Sequence, residues 1–506
     1  MNLADKYPTF FRWGRFPFRI LRLCLRPIFF ILVSLMTLGA LFIAVENYIT
    51  GKAWEKYQVE ARARGKVFNI TQPALPPLAD DQNFMMSPLL KPIYTDGKYK
   101  EAFESRLSLE VQKNDVPKPF PATGFGAWAK GERVDLSQWA AYFQQPDMFV
   151  ALKKYDADVA EISSASRKPY SRFSVQYDRP GPVARRVTPE TALALLSRIY
   201  ELRTLAELNA GQNQPALDDA ITILRMAQAD KDEPSYNGPW FTGDVLRKST
   251  LQVVWEGLAA NRWNAAQLAV LQQEMQKIDL FAQYQQVRQT GQNIDFVFIE
   301  WLKQQSIANR YKFFKKQWHL NTFSLGDILA VVPDYIWTQA ELDVSRHDDE
   351  DIAPCVEASL RRINLPAIQA ARRASEEAGQ RATSASVILH PQRLVDSIVG
   401  VASFNSEELY KFAQAQSGLD EAVVACALER FKIVQGDYPA TLDELVPQFI
   451  AKVPNDVVSG KPLHYQRTAN GRYMLAAVGW NEKDNDGKWT ATFSDESWAW
   501  QYAATK

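Results

Sequence analysis

The chain has 506 residues, of which 46% are hydrophobic and 23% are charged. This is ordinary globular composition, with room for about three domains. Lysine plus arginine and aspartate plus glutamate both number 58, so no basic excess is available to neutralise nucleic-acid phosphates. The cysteines Cys24, Cys355 and Cys426 form no CxxC pair, which argues against a zinc ribbon, a thioredoxin-type site and a disulfide scaffold. We therefore expect a globular protein without a nucleic-acid partner.

Residues 1–26 form a basic tail. Its arginines recur at steps of three and four residues, which places them on one face of a helix. They are Arg12, Arg15, Arg19, Arg22 and Arg26. Two interpretations stay open, namely contact with anionic lipid headgroups or a topology signal alone. Pro17 weakens the case for one continuous helix through the tail.

An uncharged apolar run follows, PIFFILVSLMTLGALFIAV over 27–45. At about 1.5 Å per residue it spans nearly all of a hydrocarbon core about 30 Å thick, so we predict a transmembrane helix over 27–47. The alternative is a cleaved signal peptide. Against it, the run is longer than a usual signal core and no small-x-small site follows closely. The basic flank predicts a cytoplasmic N-terminus, with the rest of the chain outside the cytoplasm.

Residues 48–115 are predicted to form a stalk and a proline-rich linker. The stalk, AWEKYQVEARARG, continues the helix to Gly65, a residue suited to the position just past a helix end. Prolines then disfavour both helix and central strand, which predicts a segment extended over the surface. These prolines are Pro73, Pro76, Pro77, Pro88 and Pro92.

A helical domain is predicted over 116–390. Helix starts are indicated by capping residues at Asp135, at Thr188 and at Asn264, where Gln267 completes a capping box.

Two of the predicted helices, one ending at Gly211 and one starting at Pro215, have a very short connection and should form an antiparallel hairpin. The pairing weakly resembles tetratricopeptide units, but three copies at a fixed period are not found. We favour an irregular helical domain.

The sequence carries no GxSxG, HExxH, Walker or Rossmann motif. His347 begins the run HDDED, whose residue types suit a metal, yet a run of adjacent charges is typical of a solvated face. We assign no function to His319, His390 or His464.

Two cysteines, Cys355 and Cys426, are both predicted to lie outside the cytoplasm, where an oxidising compartment would allow them to pair. Cys426 lies on the apolar stripe of a predicted helix. We therefore favour a buried free thiol at this position.

A small α+β domain is predicted over 391–506. A long helix ends at Gly436, and Thr441 with Glu444 forms a capping box for a short helix. Strands are predicted at KPLHYQR, RYMLAAV and KWTATF, the first two joined through TANG. A helix packed on a small antiparallel sheet follows from this order, with Leu428 and Phe431 facing the sheet.

This C-terminal region resembles the major pseudopilin of type II secretion systems. The resemblance rests on ALERFKIVQGDYP over 427–439, VPNDVVSGKPLHY over 453–465, and YMLAAVG followed by WNEKDNDGK. It implies a long helix, a Tyr-Pro turn and a small sheet with an acidic calcium loop. Unlike pseudopilins, the chain has no prepilin-peptidase site at LRPIFFILV, so we do not expect it to polymerise as a pilin.

With WEKYQVEARARG and DDQNFMMSPLL added, the whole pattern is similar to a family of uncharacterised bacterial single-pass envelope proteins. That resemblance implies the bacterial cytoplasmic membrane as location, with the bulk of the chain extracytoplasmic. It implies no activity.

An acidic loop, NEKDNDG over 481–487, lies between two predicted strands. Its candidate calcium ligands are Asn481, Glu482, Asp484 and Asp486, since hard oxygen ligands suit this ion. The loop is not an EF-hand, because the twelfth position from Glu482 is Phe493. A solvated hairpin turn is the alternative.

Two functional hypotheses follow. The preferred hypothesis is a non-catalytic structural or protein-interaction component of the cell envelope, with a link to secretion left open. Its expected partners are the lipid bilayer and other envelope proteins. The alternative is a membrane-tethered hydrolase whose carboxylates converge only in the folded chain.

Overall fold

The structure, a computed structural model, describes residues 8–66, 78–94, 96–113, 116–117, 120–121, 126–172, 190–229, 231–232, 238–318, 330–381, 406–469, 471–479 and 498–502. Most of these residues are helical. The α-helices are, in chain order, α1 (Pro8–Ala63), α2 (Gly97–Leu107), α3 (Leu136–Tyr142), α4 (Met148–Leu152), α5 (Asp156–Ala165), α6 (Glu190–Asn209), α7 (Asn213–Ala227), α8 (Gly238–Val245), α9 (Leu251–Ala259), α10 (Ala265–Gln276), α11 (Leu280–Gln304), α12 (Ile307–Trp318), α13 (Asp334–His347), α14 (Leu365–Arg381) and α15 (Ser406–Gln435).

Short antiparallel strands complete the described secondary structure. They are β1 (Gln112–Lys113), β2 (Val116–Pro117), β3 (Val356–Glu357), β4 (Arg362–Ile363), β5 (His464–Arg467), β6 (Tyr473–Ala477) and β7 (Trp498–Trp500). β1 pairs with β2, β3 pairs with β4, and β6 lies between β5 and β7. In that last sheet His464 is opposite Ala476 and Leu475 is opposite Trp500. A mainly α architecture with small antiparallel sheets is thus confirmed, while the tetratricopeptide likeness stays a prediction.

The chain divides into two compact units. The first holds the described residues up to Lys66 and those from Leu302 to Val344, and the second holds the other described residues. This division differs from the predicted boundary between a helical domain over 116–390 and an α+β domain over 391–506. The reason is that α15 buries its side chains in the same hydrophobic core as α6, α7, α9 and α10.

The helix α1 is unbroken over 56 residues and passes through Pro17 and Pro27. In the sequence Pro17 weakens the case for one continuous helix, and the structure places it inside one. A proline removes one main-chain hydrogen bond, and the helical turns on both sides keep their own bonds. The predicted stop is correct, since α1 ends at Ala63 and Gly65 has φ of 86°.

Within the first unit, α13 packs on the C-terminal part of α1. Leu342 shares a small buried cluster with Tyr57 and Ala61. α12 packs on α13 through stacked rings of Phe314 and Trp337, whose centroids are 6.4 Å apart. These contacts give the first unit a modest core outside the apolar run of α1.

The second unit is built around α15. This helix is buried along most of its length and packs on α8, α9, α10 and on the strands β6 and β7. α6 and α7 form the predicted hairpin, with Gly211 at φ of 75° in the connection. α15 ends where predicted, before Gly436 at φ of 90°.

Predicted caps are present where the structure describes them. Asp135 accepts from the backbone N–H groups at the start of α3. Asn264 and Gln267 form the capping box of α10. Thr441 and Glu444 form another, although the turn they cap, Leu442–Leu445, is a 3₁₀ helix. Thr188 lies outside the described residues.

The proline-rich segment is not the surface linker that we expected, as far as 78–94 is described. Short 3₁₀ turns over Phe84–Met86 and Lys91–Tyr94 place Phe84, Leu90 and Ile93 inside the core of the second unit. Prolines exclude long regular elements but allow such tight turns, and the apolar residues between them supply the burial.

The C-terminal sheet is partly as predicted. β5 and β6 fall inside the two predicted strands, and Gly471 has φ of 72° at the turn between them. The predicted strand over 488–493 lies outside the described residues. The third described strand is β7, which the sequence pattern did not indicate.

Candidate functional site

The first candidate site is the apolar stretch of α1. Its large apolar side chains are open to the surroundings, with 63% of Leu38 and 67% of Met36 exposed. Among the described residues, one helix, Pro27–Ala63, is long and apolar enough to cross a membrane, and none of its apolar window is buried. A core helix would cover these side chains with protein, so this stretch is compatible with a lipid-facing helix.

The predicted membrane-surface arginines lie on the same helix, N-terminal to the apolar run. Arg12 to Arg26 share the continuous helical path of α1. Their backbone positions therefore fall on one side of the helix. Their side chains lie outside the part that the structure describes.

A second candidate site is an acid and aromatic cluster where α15 ends. The Tyr438 hydroxyl donates to Glu429 Oε1 at 2.7 Å, and Arg472 Nη1 lies 3.8 Å from the same oxygen. Burial raises the pKa of Glu429, against the opposing effects of Tyr438, Arg472 and Lys432. The cluster therefore favours the protonated form of this carboxyl more than water does.

Aromatic rings extend the cluster into the sheet. The ring of Tyr438 meets that of Tyr473 edge to face at 4.9 Å, and the hydroxyls of Tyr473 and Tyr502 are 3.0 Å apart. Trp500 Nε1 donates to the Tyr502 hydroxyl at 3.2 Å. Burial raises the pKa of Tyr473 and of Tyr502, so both phenols stay neutral. This arrangement joins α15 to β6 and β7.

A cleft of about 270 Å³ lies beside this cluster. Its lining includes Trp263, Leu268, Glu429 and Lys432. Gly257 also lines it, and a Cβ there would come within 1.9 Å of the Trp263 ring, so the indole needs glycine at this position. The cleft is smaller than the roughly 300–1,000 Å³ usual for small-molecule sites.

Another cleft, of about 200 Å³, lies between α8 and α15. Its charged lining carries both signs, with Asp244, Arg247, Glu408 and Lys411. Asp244 Oδ1 is 2.8 Å from Lys248 Nζ, and Lys411 lies 3.7 Å from Glu408. The charged side chains at this surface are therefore paired with their neighbours.

The hairpin of α6 and α7 holds two carboxylates against one cation. Arg203 Nε lies 3.2 Å from Glu207 and 3.3 Å from Asp219. Burial raises the pKa of Asp219 to about 8, and the neighbouring Glu207 carboxylate adds to the rise. With two acids and one guanidinium, the pair retains a proton at neutral pH.

Two acidic side chains on the buried face of α15 accept hydrogen bonds from other protein groups. Glu421 Oε1 accepts from the N–H of Ala477 at 2.8 Å and so ties α15 to β6. Asp420 accepts from Gln416 at 2.9 Å, and burial raises the pKa of Asp420 to about 7. Burial also raises the pKa of Glu421 and of Glu201 well above the ordinary value. These acids do not line the two clefts described above.

The run that starts at His347 is half-buried rather than a fully solvated face. It forms a π-helical turn, Asp348–Ile352, in which Asp348 lies 2.6 Å from Arg288 and His347 Nδ1 lies 2.7 Å from Asp351. Among the described residues, no group of three or more His, Cys, Asp or Glu side chains could hold a metal ion. His464 lies on the exposed edge of β5, and His319 and His390 are outside the described residues.

Both described cysteine side chains, Cys355 and Cys426, are free and buried. The expectation of a buried free thiol at Cys426 is confirmed. Burial raises the pKa of Cys355 to about 12, so this thiol is unreactive near neutral pH.

The predicted calcium loop, with Asn481, Glu482, Asp484 and Asp486, lies outside the described residues. Calcium binding therefore stays a prediction from the sequence.

Sequence reasoning missed the cluster of Glu429, Tyr438 and Arg472. A signal was present on α15, where Glu421 and Glu429 recur on the same helical face as the buried Leu428. Acids at apolar positions of a helix indicate burial with a partner.

No known protein family, curated protein or solved structure matches the chain.

Proposed function

We propose that the protein is a single-pass membrane protein of the bacterial cell envelope, with a non-catalytic structural or protein-interaction role. The observation that carries the proposal is the exposed apolar length of α1, which continues as helix to Ala63. Lipid is the environment in which such a surface is stable.

The orientation rests on charge. Five arginines precede the apolar run, whereas the stalk after it mixes signs in pairs such as Lys52 with Glu55, 2.7 Å apart. The positive-inside rule then assigns the N-terminus to the cytoplasm and the second unit to the extracytoplasmic side. A secretion-linked role and a pseudopilin-like module rest on the sequence resemblance alone.

The non-catalytic part of the proposal is supported by how the unusual carboxyls are used. Glu421 and Asp420 bond to protein groups inside the core. The two clefts are small, and the charges of one are paired locally.

One observation favours the alternative of a hydrolase, since Glu429 has a raised pKa and lines a cleft. Glycosidases need a second carboxylate about 5–10 Å away. Among the described residues that line this cleft, Glu429 is the only acid. Loss of a measured turnover in Glu429→Gln, with Asp443→Asn unaffected, would establish the alternative over our proposal.

A pair of reporter fusions tests the topology. Alkaline phosphatase fused after Lys506 should be active, and the same enzyme fused after Arg22 should be inactive. The full-length chain should also stay in the membrane pellet after alkaline carbonate washing. A shortened, washable product would show a cleaved signal, and the opposite pair of activities would overturn the orientation.

Crosslinking in intact cells tests the role. A photoreactive residue at an exposed position of the second unit, such as Leu360, should capture defined envelope proteins. The matched control places the same group at buried Leu428, which should capture none. Absence of any reproducible adduct from several exposed positions would contradict an interaction role.

A further inference from the structure

We propose that α12 and the segment that leads into α13 lie on the outer surface of the bilayer and form a second membrane contact beside α1. This inference rests on the proposed anchoring of α1 and adds to it a lipid-binding surface made by described residues of α12 and by Val331.

The start of α13 lies at the membrane end of the stalk. The ring of Tyr335 meets that of Phe42 edge to face at 6.3 Å. Phe42 belongs to the apolar run, about 4.5 Å along the helix from its end at Val45. Further along, Leu342 reaches Tyr57. α13 therefore rises along α1 from the level at which the apolar run ends.

A buried arginine fixes α12 to this same level. Arg310 is 5% exposed, and its Nη1 donates to the carbonyl of Val332 at 3.0 Å while Nη2 donates to Asp334 at 2.8 Å. Its Nε donates to the carbonyl of Leu302 at 2.7 Å. These bonds tie the first turns of α12 to the residues just before Tyr335.

The exposed flank of α12 carries side chains that membrane interfaces favour. Ile307, Tyr311 and Lys315 recur every four residues and lie beside the buried Arg310 and Phe314. Ile307 is 60% exposed and Tyr311 is 38% exposed. Lys315 Nζ donates to the Tyr311 hydroxyl at 3.0 Å. An aliphatic residue, a tyrosine and a lysine with a long apolar stem suit the boundary between acyl chains and headgroups.

The neighbouring segment adds a further apolar group. Val331 is 60% exposed and lies next to Val332, to which Arg310 bonds. Val331 lies four residues before Tyr335, whose ring contacts Phe42 in the apolar run. This closeness in the chain to the apolar run, together with Lys315 on α12, favours the bilayer as the occupant over a protein.

Depth measurements on the full chain in phosphatidylcholine and phosphatidylglycerol vesicles test the contact. Nitroxide labels are placed one at a time through Ile307→Cys, Val331→Cys, Met36→Cys and Leu360→Cys, with Cys24→Ser in every variant. Cys355 and Cys426 are buried and stay unlabelled. Leu360 is the matched control, because it is 66% exposed and belongs to the second unit.

The expected result is greater accessibility to oxygen than to a water-soluble nickel chelate at Met36, Ile307 and Val331, with the reverse at Leu360. If Met36 is in lipid while Ile307 and Val331 resemble Leu360, the second contact is wrong and the anchor stands. If Met36 itself is exposed to the chelate, the proposed anchoring fails. A further variant, Tyr311→Asp, should reduce the immersion of the label at Ile307 and leave that at Met36 unchanged.

Discussion

The two units of the protein depart from ordinary burial in opposite directions. The first exposes apolar side chains such as Met36, 67% of which is open, while the second buries carboxyl groups such as Glu421 completely. In water each arrangement is unfavourable by itself. The first is stable if lipid covers it, and the second is stable because its acids find hydrogen bonds or keep a proton.

The difference separates two kinds of dependence on the surroundings. Apolar surface left in water costs about 25 cal/mol per Å², so the stability of α1 depends on the solvent around it. A buried carboxyl avoids the cost of a buried charge by remaining neutral, which the raised pKa of Asp219 and Asp420 expresses. On the proposed anchoring, we expect the stability of the first unit to depend on lipid and that of the second unit to depend on pH.

The largest effect is expected from placing charges in the apolar run of α1. In Leu32→Arg combined with Met36→Arg, each charge should cost about 2.5–3.5 kcal/mol at the centre of a membrane helix. The variant should disappear from the carbonate-resistant pellet, as measured by quantitative blotting of washed membranes. Leu32→Ile with Met36→Leu is the matched control. Equal retention of the arginine variant would show that the apolar run does not span the bilayer.

The next largest effect is expected from a substitution in the hydrophobic core of the second unit. Leu428 is fully buried on α15, so Leu428→Ala should lower the free energy of unfolding of the second unit by about 2–5 kcal/mol. The measurement is denaturant unfolding of the full chain in detergent micelles. Val434→Ala on the same helix, at a side chain that is 59% exposed, should change it by less than about 0.5 kcal/mol. Similar values for both would mean that α15 is not packed as described.

The pH dependence sharpens the comparison from the acid side. Asp219 has a folded-state pKa of about 8, above the unfolded value of about 4. Its contribution is fully present below the unfolded pKa and is lost as pH rises toward the folded pKa, because the folded chain then holds a proton that the unfolded chain has released. Stability of the second unit should fall between pH 6 and pH 8, by at most about 1.4 kcal/mol per pH unit for this group.

Asp219→Asn should reduce that slope by up to about 1.4 kcal/mol per pH unit, as read from unfolding curves at a series of pH values, while Asp420 and the other buried acids keep the remainder. Asp443→Asn, at an exposed position, should leave it unchanged. A slope that is the same in both variants would remove Asp219 from the explanation.

The smallest expected effect concerns the acidic side chains of the predicted calcium loop, which we expect to bind a cation. Extracellular calcium sites bind with dissociation constants of about 10⁻⁴–10⁻³ M, so about 10 mM calcium should stabilise the chain by roughly 1.4–2.7 kcal/mol. The melting temperature should rise by a few degrees relative to chelator. Asp484→Ala with Asp486→Ala should abolish the rise, and Asp80→Ala with Asp81→Ala should not. Identical melting of the natural chain in calcium and in chelator would exclude the site.

Local rules predicted several of the helix ends. The capping box of Asn264 and Gln267 lies within a single turn, so its sequence pattern contains the whole interaction. The stops at Gly65, Gly211 and Gly436 are local for the same reason, since each needs only a backbone of positive φ. The apolar run of α1 was equally plain, because its length and lack of charge are properties of consecutive residues.

Features that depend on distant partners were missed. Glu421 bonds to the N–H of Ala477, 56 residues away, and Trp128 Nε1 donates to the carbonyl of Arg247, 119 residues away. No short pattern contains such pairs. The same holds for Phe84, which the prolines around it made us assign to a surface linker although the second unit buries it.

Because α1 is one continuous helix, its part beyond the apolar run is a rigid extension that turns with the rest of the helix. Roughly 18 residues extend the helix by about 27 Å beyond the end of the apolar run, as far as Ala63. Membrane helices adjust their tilt to bilayer thickness, and a tilt change of about 10° would move this distal end by about 5 Å. Because α13 is packed on Tyr57 and Ala61, it would move together with this end of α1. If α1 spans a bilayer as we propose, a thinning or thickening of that bilayer would be converted into a lateral displacement outside it.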